Sequence, residues 1–346
     1  MTVPDTMWAA RLHEYGVPSD VVIETIPVPV AGAGEVLVHV KAASVNFPDL
    51  LRMAGRYQAN PLVPFTPGSE VSGVVVATGP GVSSWQAGDR VAGTVVIGGF
   101  AEYAVAKATM VRRVATAISD VHAAAAGVTY HTAFQALRAV ADVRPHEWVV
   151  VLGAAGGVGL AAVDCARALG AQVIAAASSD EKLAACAARG ASACINYHDD
   201  DLRRAILDIT GEGADVVIDP VGGRWAEQAV RACRRGSRFV TVGYASGEIP
   251  SIPLNLVLLK GVAILGYDGR NFAAQSPAAA AAARAELDGL LAGGELEPFV
   301  SQVYPLERVV HALEELASRR AIGKVVVTIG HTPASTAAAG VDPLAT

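Results

Sequence analysis

The chain reads as α/β: a β-rich first domain followed by a doubly wound parallel sheet. Three observations carry this reading. The first hundred residues are rich in valine, glycine and proline, with strand-like runs set between turn signals. From Val149 the texture changes to apolar runs of four to six residues alternating with alanine-rich stretches. At that change stands a glycine-rich turn, Val149-Val150-Val151-Leu152-Gly153-Ala154-Ala155-Gly156-Gly157-Val158-Gly159, where a buried-strand pattern runs straight into a small-residue helix.

Taken in chain order, Glu35 to Val40 and Val71 to Val76 are strands of the first domain, bounded by turn residues. The parallel strands are Val149 to Leu152, Gln172 to Ala177, Ala193 to Asn196, Asp215 to Asp219, Arg238 to Val242 and Ala263 to Gly266. Short apolar strands alternating with helices make a parallel sheet joined by right-handed crossovers. The helix beginning near Gly157 carries Leu160, Val163, Ala166 and Leu169 at three-residue steps and stops at Gly170, a C′ glycine. After Gly266, a loop with Asp268-Gly269-Arg270-Asn271 and Ser276-Pro277 leads to an alanine-rich helix, then Val309 to Leu316, then the strand Lys324 to Ile329. These segments are assigned to a return of the first domain. The expected division is therefore 1–127 with 270–330, and 128–269. Residues 331–346, rich in Ala, Thr, Pro and Gly without periodicity, are expected to be a disordered tail. No internal repeat is visible.

With 346 residues and 52% hydrophobic content the chain can bury a sizeable core, and its length suggests two domains. A net charge of -6, with no run of five like charges, leaves no electrostatic footprint for nucleic acid. No apolar run is long enough to span a bilayer, and the N-terminus lacks the basic and apolar stretches of a secretory signal, so a cytoplasmic protein without a membrane partner is expected. Cys165, Cys186, Cys194 and Cys233 show no C-x-x-C spacing and read as small core hydrophobes in a reducing compartment.

The glycine turn has the form of a dinucleotide pyrophosphate site. Gly156 lets the backbone approach a phosphate, Gly159 lets the helix pack on the strand, and the free N–H groups opening the helix favour an anion. Ala155, Gly156, Gly157 and Val158 are the residues expected against the pyrophosphate. An NAD-selective site places an acidic residue about 20 positions past the turn. Here that strand ends Ala175-Ala176-Ala177-Ser178-Ser179. With no carboxylate at Ser178 to repel a 2′-phosphate, and Lys182 one turn on as a point charge, NADPH is the better fit. Tyr197, ending the third parallel strand, adds a hydroxyl. The same residues also suit a plain helix start: Ser178 and Ser179 as caps, Asp180 and Glu181 in the first turn, Lys182 as a solvated charge. The loop after Val240-Thr241-Val242 lies on the carboxyl edge of the fifth parallel strand, where such sheets bind ligands, so Gly243, Tyr244, Ala245 and Ser246 are expected to line the nicotinamide. Tyr267 and Asp268 should approach the same crevice or a subunit interface.

Further motifs stand in order: Ala43-Ser44-Val45-Asn46-Phe47-Pro48-Asp49, Gly55-Arg56-Tyr57, Pro64-Phe65-Thr66-Pro67-Gly68-Ser69-Glu70-Val71-Ser72-Gly73, Gly99-Phe100-Ala101-Glu102-Tyr103, the turn from Ala154 to Gly159, and Gly323-Lys324-Val325-Val326. Together they resemble the medium-chain dehydrogenase/reductase superfamily, and within it the zinc-independent quinone oxidoreductase group. The resemblance covers about residues 7 to 330. It implies a GroES-like β-rich catalytic domain, a Rossmann domain for the parallel sheet, and a homodimer in which the sixth parallel strand pairs with its twin. The superfamily's first glycine of the turn is Ala154 here, with Gly153 one place earlier, and related zinc-free reductases share this form.

The zinc alcohol dehydrogenases of the superfamily carry Cys where this chain has Asn46, His where it has Ser69, and Cys or an acid near Val128. Asn, Ser and Val cannot supply three protein ligands to zinc, and residues 90 to 110 hold no cysteine for a structural site, so no metal is expected. The resemblance points to Asn46 and Tyr57 as donors near the nicotinamide, Asp49 as a residue orienting the loop, and Thr132 and Lys324 as cofactor contacts. Tyr57 is the candidate substrate donor or a rim aromatic that shapes the pocket. Asn46 is equally a turn residue replacing a lost ligand. Glu70 reads as a backbone anchor and His131 as a structural histidine.

Without a Lewis acid, the reaction is one in which hydride transfer does most of the work. Quinones and α,β-unsaturated carbonyls suit it, since the oxyanion formed needs only a hydrogen-bond donor or water. The expected function is an NADPH-dependent, zinc-free reductase of such small molecules. An enoyl-thioester reductase would need a basic patch for a carrier phosphate, for which Arg52 and Arg56 are the nearby candidates. A low-turnover NADPH-binding structural or regulatory protein is the reading from another class.

Overall fold

Residues 2–330 are described by the computed structural model. The expected disordered tail, 331–346, lies outside the described residues. In the N-terminal region, β1 (Thr6–Arg11) and β2 (Val22–Pro27) form an antiparallel ribbon. There follow β3 (Glu35–Ser44), α1 (Phe47–Met53), β4 (Glu70–Thr78), β5 (Arg90–Thr94), β6 (Tyr103–Lys107), β7 (Val111–Arg113) and α2 (Asp120–Ala126). Helix α3 (Thr129–Gln135) runs on through a π-helical turn at Ala136–Val140 and leads into the second region. That region alternates β8 (Trp148–Leu152), α4 (Gly157–Ala168), β9 (Gln172–Ala177), α5 (Asp180–Ala188), β10 (Ala193–Asn196), α6 (Leu202–Thr210), β11 (Ala214–Asp219), α7 (Arg224–Arg231), β12 (Cys233–Thr241), α8 (Leu254–Lys260) and β13 (Ala263–Gly266). The chain ends its described part with α9 (Gly269–Gln275), α10 (Pro277–Ala292), β14 (Val300–Pro305), α11 (Val309–Ala317) and β15 (Lys324–Thr328).

The second region is a six-stranded parallel sheet in the order β10-β9-β8-β11-β12-β13. The strand order reverses between β8 and β11, and that switch point places the carboxyl ends of β8 and β11 at the crevice where such sheets bind ligands. Alternate residues of β8 serve two cores, which is why its sequence is apolar throughout. Val149 and Val151 pack with Phe134, Leu160 and Val163 on one face. Val150 and Leu152 pack with Ile206, Val230 and Phe239 on the other.

The first region is a seven-stranded sheet ordered β14-β15-β3-β4-β5-β7, with β6 also paired to β3. Val36, Val38 and Val40 of β3 alternate into its core with Val71, Val75 and Val91. β15 returns from the C-terminal end to pair antiparallel with β3, Val326 opposite Ser44. The return was expected, but β14 was not read from the sequence, because its side chains are mostly half-buried or exposed.

The division at 270 is corrected by the packing. Ala283, Leu287 and Leu291 of α10 belong to the same core as Val149 and Val151, and Gln135 of α3 donates to Ala280 O at 3.4 Å. These residues recur at helical spacing and cover α3. Residues 270–298 therefore go with the parallel sheet, and the return starts at β14. Tyr267 is likewise no crevice residue: it is buried, with its hydroxyl donating to Gln135 Oε1 at 2.7 Å, while Asp268 caps α9. Cys165, Cys186 and Cys233 are buried as expected, whereas Cys194 is exposed.

Candidate active site

The glycine turn delivers β8 into α4. The first bond inside the helix runs from Leu160 N to Gly156 O at 2.8 Å, which leaves the N–H groups of Gly157, Val158 and Gly159 outside the helical ladder. They point where a phosphate is favoured by the helix dipole. Gly156 is exposed, and a Cβ built on it meets nothing nearer than Gly153 O at 3.4 Å, so this side of the turn is open. A Cβ on Gly157 would touch Thr129 Cγ2 at 3.1 Å and Lys324 Cδ at 3.3 Å. Ala155 O accepts from Gly323 N at 2.8 Å. The turn is thus the point where the two regions meet.

At the far end, Ser178, Lys182 and Tyr197 do come together. Lys182 Nζ donates to Ser178 Oγ at 3.1 Å and to Arg319 O at 2.9 Å, and the Tyr197 hydroxyl lies beside Ser178. Burial pushes the Tyr197 phenol up from its ordinary value, opposed by Ser178 and the positive charge of Arg319. Asp180 faces elsewhere, accepting from Asn196 Nδ2 at 3.3 Å. Ser179 caps α5 through Lys182 N, so the capping reading and the clustering hold together. Sequence reasoning missed Arg319, which donates to Ser246 O at 3.0 Å and so links this cluster to the loop after β12. Its only signal was a pair of arginines past an amphipathic helix, a pattern that reads as solvated charge.

In the β-rich region the lost metal position is filled by a buried polar cluster. Asn46 Nδ2 donates to Ser44 O at 3.2 Å and Glu70 Oε2 at 3.0 Å, and its Oδ1 accepts from Lys324 Nζ at 2.6 Å. Lys324 Nζ also donates to Val45 O at 3.2 Å and lies 3.5 Å from Glu70 Oε2. Glu70 Oε1 accepts from Val128 N at 2.8 Å, which makes it the expected backbone anchor. Two expectations are corrected here. Both amide hydrogens of Asn46 are committed within the protein, so it offers no donor to a substrate. The ammonium of Lys324 is likewise fully engaged, and only its stem lies against the turn. Burial pushes the Lys324 ammonium down from its ordinary value, with Glu70 and Asp49 pulling it back up.

These residues do not make a zinc site. An ammonium stands 3.5 Å from the carboxylate, Asn46 is fully bonded, and Val128 has no ligand atom, so the donor set does not fit a metal. Among the described residues no group of three or more His, Cys, Asp and Glu is placed to hold one.

Asp49 orients the start of α1, accepting from Asn46 N at 2.9 Å, beside Ser69. Burial pushes its carboxyl up to about 6, against the pull of Ser69, Asn46, Arg52 and Lys324. The folded protein therefore holds this proton more tightly than the unfolded chain does. The stability it contributes is full below about pH 4 and is lost as the pH rises through about 6, about 3 kcal/mol in all. Asp49→Asn is expected to remove this dependence, so the difference in unfolding free energy between wild type and variant should change across pH 4 to 7 in urea titrations. A constant difference would refute it.

Tyr57 is half-buried, with its ring 4.5 Å from the Arg52 guanidinium carbon. Thr132 is half-buried on α3, next to the turn's neighbour Thr129. Burial and the charges of Arg284 and Arg112 push His131 down to about 3, which favours the neutral imidazole, and its Nε2 is buried without a hydrogen-bond partner. Gly243, Tyr244 and Ala245 sit on the carboxyl edge beside the β11 loop, Ala245 N donating to Pro220 O at 3.1 Å.

Residues 157–284 match the family model described as zinc-binding dehydrogenase, and residues 32–116 that of the alcohol dehydrogenase GroES-like domain. Quinone oxidoreductase-like protein 2 of Bos taurus is 38% identical over 312 residues, 89% of this chain and 89% of that protein. The Pseudomonas syringae quinone oxidoreductase structure superposes with a TM-score of 0.85 at 30% identity, covering 93% of this chain and 99% of that one. A mycobacterial protein, Rv1454c, solved in complex with NADPH, gives a TM-score of 0.86 at 29% identity, over 93% and 99% of the two chains. With both family models in order along one chain and a relative this similar over nearly its whole length, the protein belongs to the medium-chain dehydrogenase/reductase superfamily, in its quinone oxidoreductase group.

Proposed function

We propose that the protein is an NADPH-dependent, zinc-free reductase that transfers hydride to a quinone or an α,β-unsaturated carbonyl. The observation that carries the cofactor reading is the cluster of Ser178, Lys182 and Tyr197 with Arg319, at a strand end without a carboxylate. Two cations and two hydroxyls suit a 2′-phosphate, and Asp180 is turned onto Asn196 instead. Ala155, Gly156, Gly157 and Val158 take the pyrophosphate, while Thr132 and the loop Gly243-Tyr244-Ala245 flank the nicotinamide. When bound, the dinucleotide supplies a hydride from its reduced ring. The chain's residues position the acceptor and keep the cleft shaped, and Tyr57 offers its hydroxyl to the acceptor oxygen.

Lys182→Ala and Arg319→Ala are each expected to weaken NADPH binding at least tenfold, about 1.5–3 kcal/mol for a lost charged hydrogen bond, and to leave NADH binding nearly unchanged. Fluorescence titration of both nucleotides checks this. Equal losses for both would remove the 2′-phosphate assignment. The reaction is tested by steady-state NADPH oxidation with 1,4-benzoquinone, 9,10-phenanthrenequinone, an alkenal and crotonyl coenzyme A. Tight NADPH binding with flat traces throughout would favour a structural or regulatory role. For the enoyl-thioester reading, Arg52 is nearly buried against Tyr57 and Arg56 is exposed.

We further propose a homodimer formed through β13. This strand ends the parallel sheet with one edge unpaired, and the adjacent α8 exposes Leu254 (80%), Leu258 (79%) and Leu259 (69%). Sedimentation should give twice the chain mass for the wild type and the monomer for Leu258→Asp; a monomeric wild type would overturn the proposal. The four cysteines are free, in keeping with a cytoplasmic setting, and no helix of the described residues is long and apolar enough to cross a membrane.

A further inference from the structure

Arg52 is a nearly buried cation with an unpartnered side-chain nitrogen. It lies in the last turn of α1, 9% exposed, and its Nη1 has no hydrogen-bond partner. Asp49 Oδ1 is 3.6 Å away, an ion pair too long for a hydrogen bond. The chain shows what a structural pair looks like elsewhere: Arg189 grips Asp164 with two bonds of 2.8 and 2.6 Å. Arg52 is held differently, with its guanidinium carbon 4.5 Å from the centre of the Tyr57 ring and its Nη1 without a hydrogen-bond partner. A guanidinium carries five donors, and a nearly buried one with an unpartnered nitrogen is poised for a ligand.

The position of that ligand follows from a row of contacts that starts at the glycine turn. The Lys324 stem lies against Gly157, its ammonium bonds Asn46, the Asn46 N–H bonds Asp49, and Asp49 faces Arg52, which covers Tyr57. Arg52 and Tyr57 are thus linked to the glycine turn through residues of the β-rich region. Asn46, expected there as a donor, is fully engaged, which leaves the guanidinium and the Tyr57 hydroxyl as the donors of this stretch.

We propose that Arg52 is the oxyanion donor of the site, binding the carbonyl oxygen of a conjugated quinone or enone and holding the negative charge that reduction places on it. This rests on the reading that the acceptor is reduced by a dihydronicotinamide. One C–H bond would break at C4 of the dihydronicotinamide as one forms at the carbon conjugated to the carbonyl, the π electrons would shift along the conjugated system, and the C=O π pair would end on the oxygen facing Arg52. The acceptor gains two electrons and one hydrogen, the dihydronicotinamide is oxidised, and water supplies the proton that neutralises the product. A fixed cation aimed at that oxygen stabilises the charge without reorganisation, and removing such a donor costs about 10²–10³-fold in rate.

The test uses Arg52→Gly and Arg52→Lys in the full chain, with 1,4-benzoquinone as acceptor and 4-nitrophenol as a non-reacting oxyanion probe. Arg52→Gly is expected to lose about 10²–10³-fold in kcat with NADPH affinity unchanged, to recover activity in millimolar guanidinium, and to be partly replaced by Arg52→Lys. The wild type should bind 4-nitrophenol as its yellow phenolate at a pH below the free phenol's transition, and Arg52→Gly should not. Activity within threefold of wild type in Arg52→Gly, or loss that guanidinium does not rescue, would overturn the proposal, as would phenolate binding that survives the substitution. If the wild type binds the phenolate through Arg52 yet reduces no acceptor, the oxyanion site stands and the reductase reading falls.

Discussion

Lys324→Met is expected to destabilise the protein by about 3–5 kcal/mol, the range for breaking a buried ion pair from one side. Glu70 is fully buried, and Lys324 Nζ, 3.5 Å away, is its cation. Methionine fills the volume but leaves the carboxylate with only Asn46 Nδ2 and Val128 N as partners, and strips donors from Asn46 Oδ1 and Val45 O. Against a usual total of about 5–15 kcal/mol, this is a large fraction. The double variant Lys324→Met with Glu70→Gln removes both charges and should recover much of the loss, because the desolvation penalty of two buried ions disappears with them. Urea unfolding of the four proteins gives the coupling energy. A single-variant loss below about 1 kcal/mol would mean that the pair is already solvated or neutral. Since the Lys324 stem lies on Gly157 and the preceding residue bonds Ala155, the same variant should also weaken dinucleotide binding.

The second large effect is at the turn, where two neighbouring glycines should separate packing from binding. A Cβ on Gly159 would lie 2.2 Å from Gly153 O and 2.8 Å from Ala154 Cα, both backbone atoms. Gly159→Ala must therefore lift α4 off the turn, with a loss of about 1–3 kcal/mol or more in stability and of dinucleotide affinity as the helix N-terminus moves. Gly156→Ala is different. Its φ of -74° suits any residue and its Cβ has room, so the fold should tolerate it. A bound pyrophosphate would meet that methyl, and affinity should fall at least tenfold with the melting temperature nearly unchanged. Titration and thermal melts on both variants decide it. Unchanged NADPH affinity in Gly156→Ala would remove the pyrophosphate from this turn.

Much of the fold was legible because its signals are local. The six parallel strands appear within about five residues of their expected bounds, β8, β9 and β11 because they are buried along nearly their whole length, and Gly170 closes α4 as a left-handed residue with φ of 79°. The clustering of Ser178, Lys182 and Tyr197 also came from local spacing along adjacent strands. What escaped was set by partners far away in the chain. The alanine-rich α10 carries no mark of which core it joins, and only its packing on α3 moved it to the parallel sheet. Arg319 reaches Lys182 across 137 residues, and Lys324 reaches Asn46 across 278.

The sequence by itself determined the two-part architecture and the glycine-rich turn, because periodicity and glycine placement are properties of short segments. Only the tertiary structure decided which of the polar residues near the cleft are free. Asn46 and Lys324 are consumed in satisfying each other and Glu70, because most buried donors and acceptors find a partner, while Arg52 Nη1 is left over. Whether a side chain is bonded or available depends on what the fold brings beside it, and no single segment carries that information.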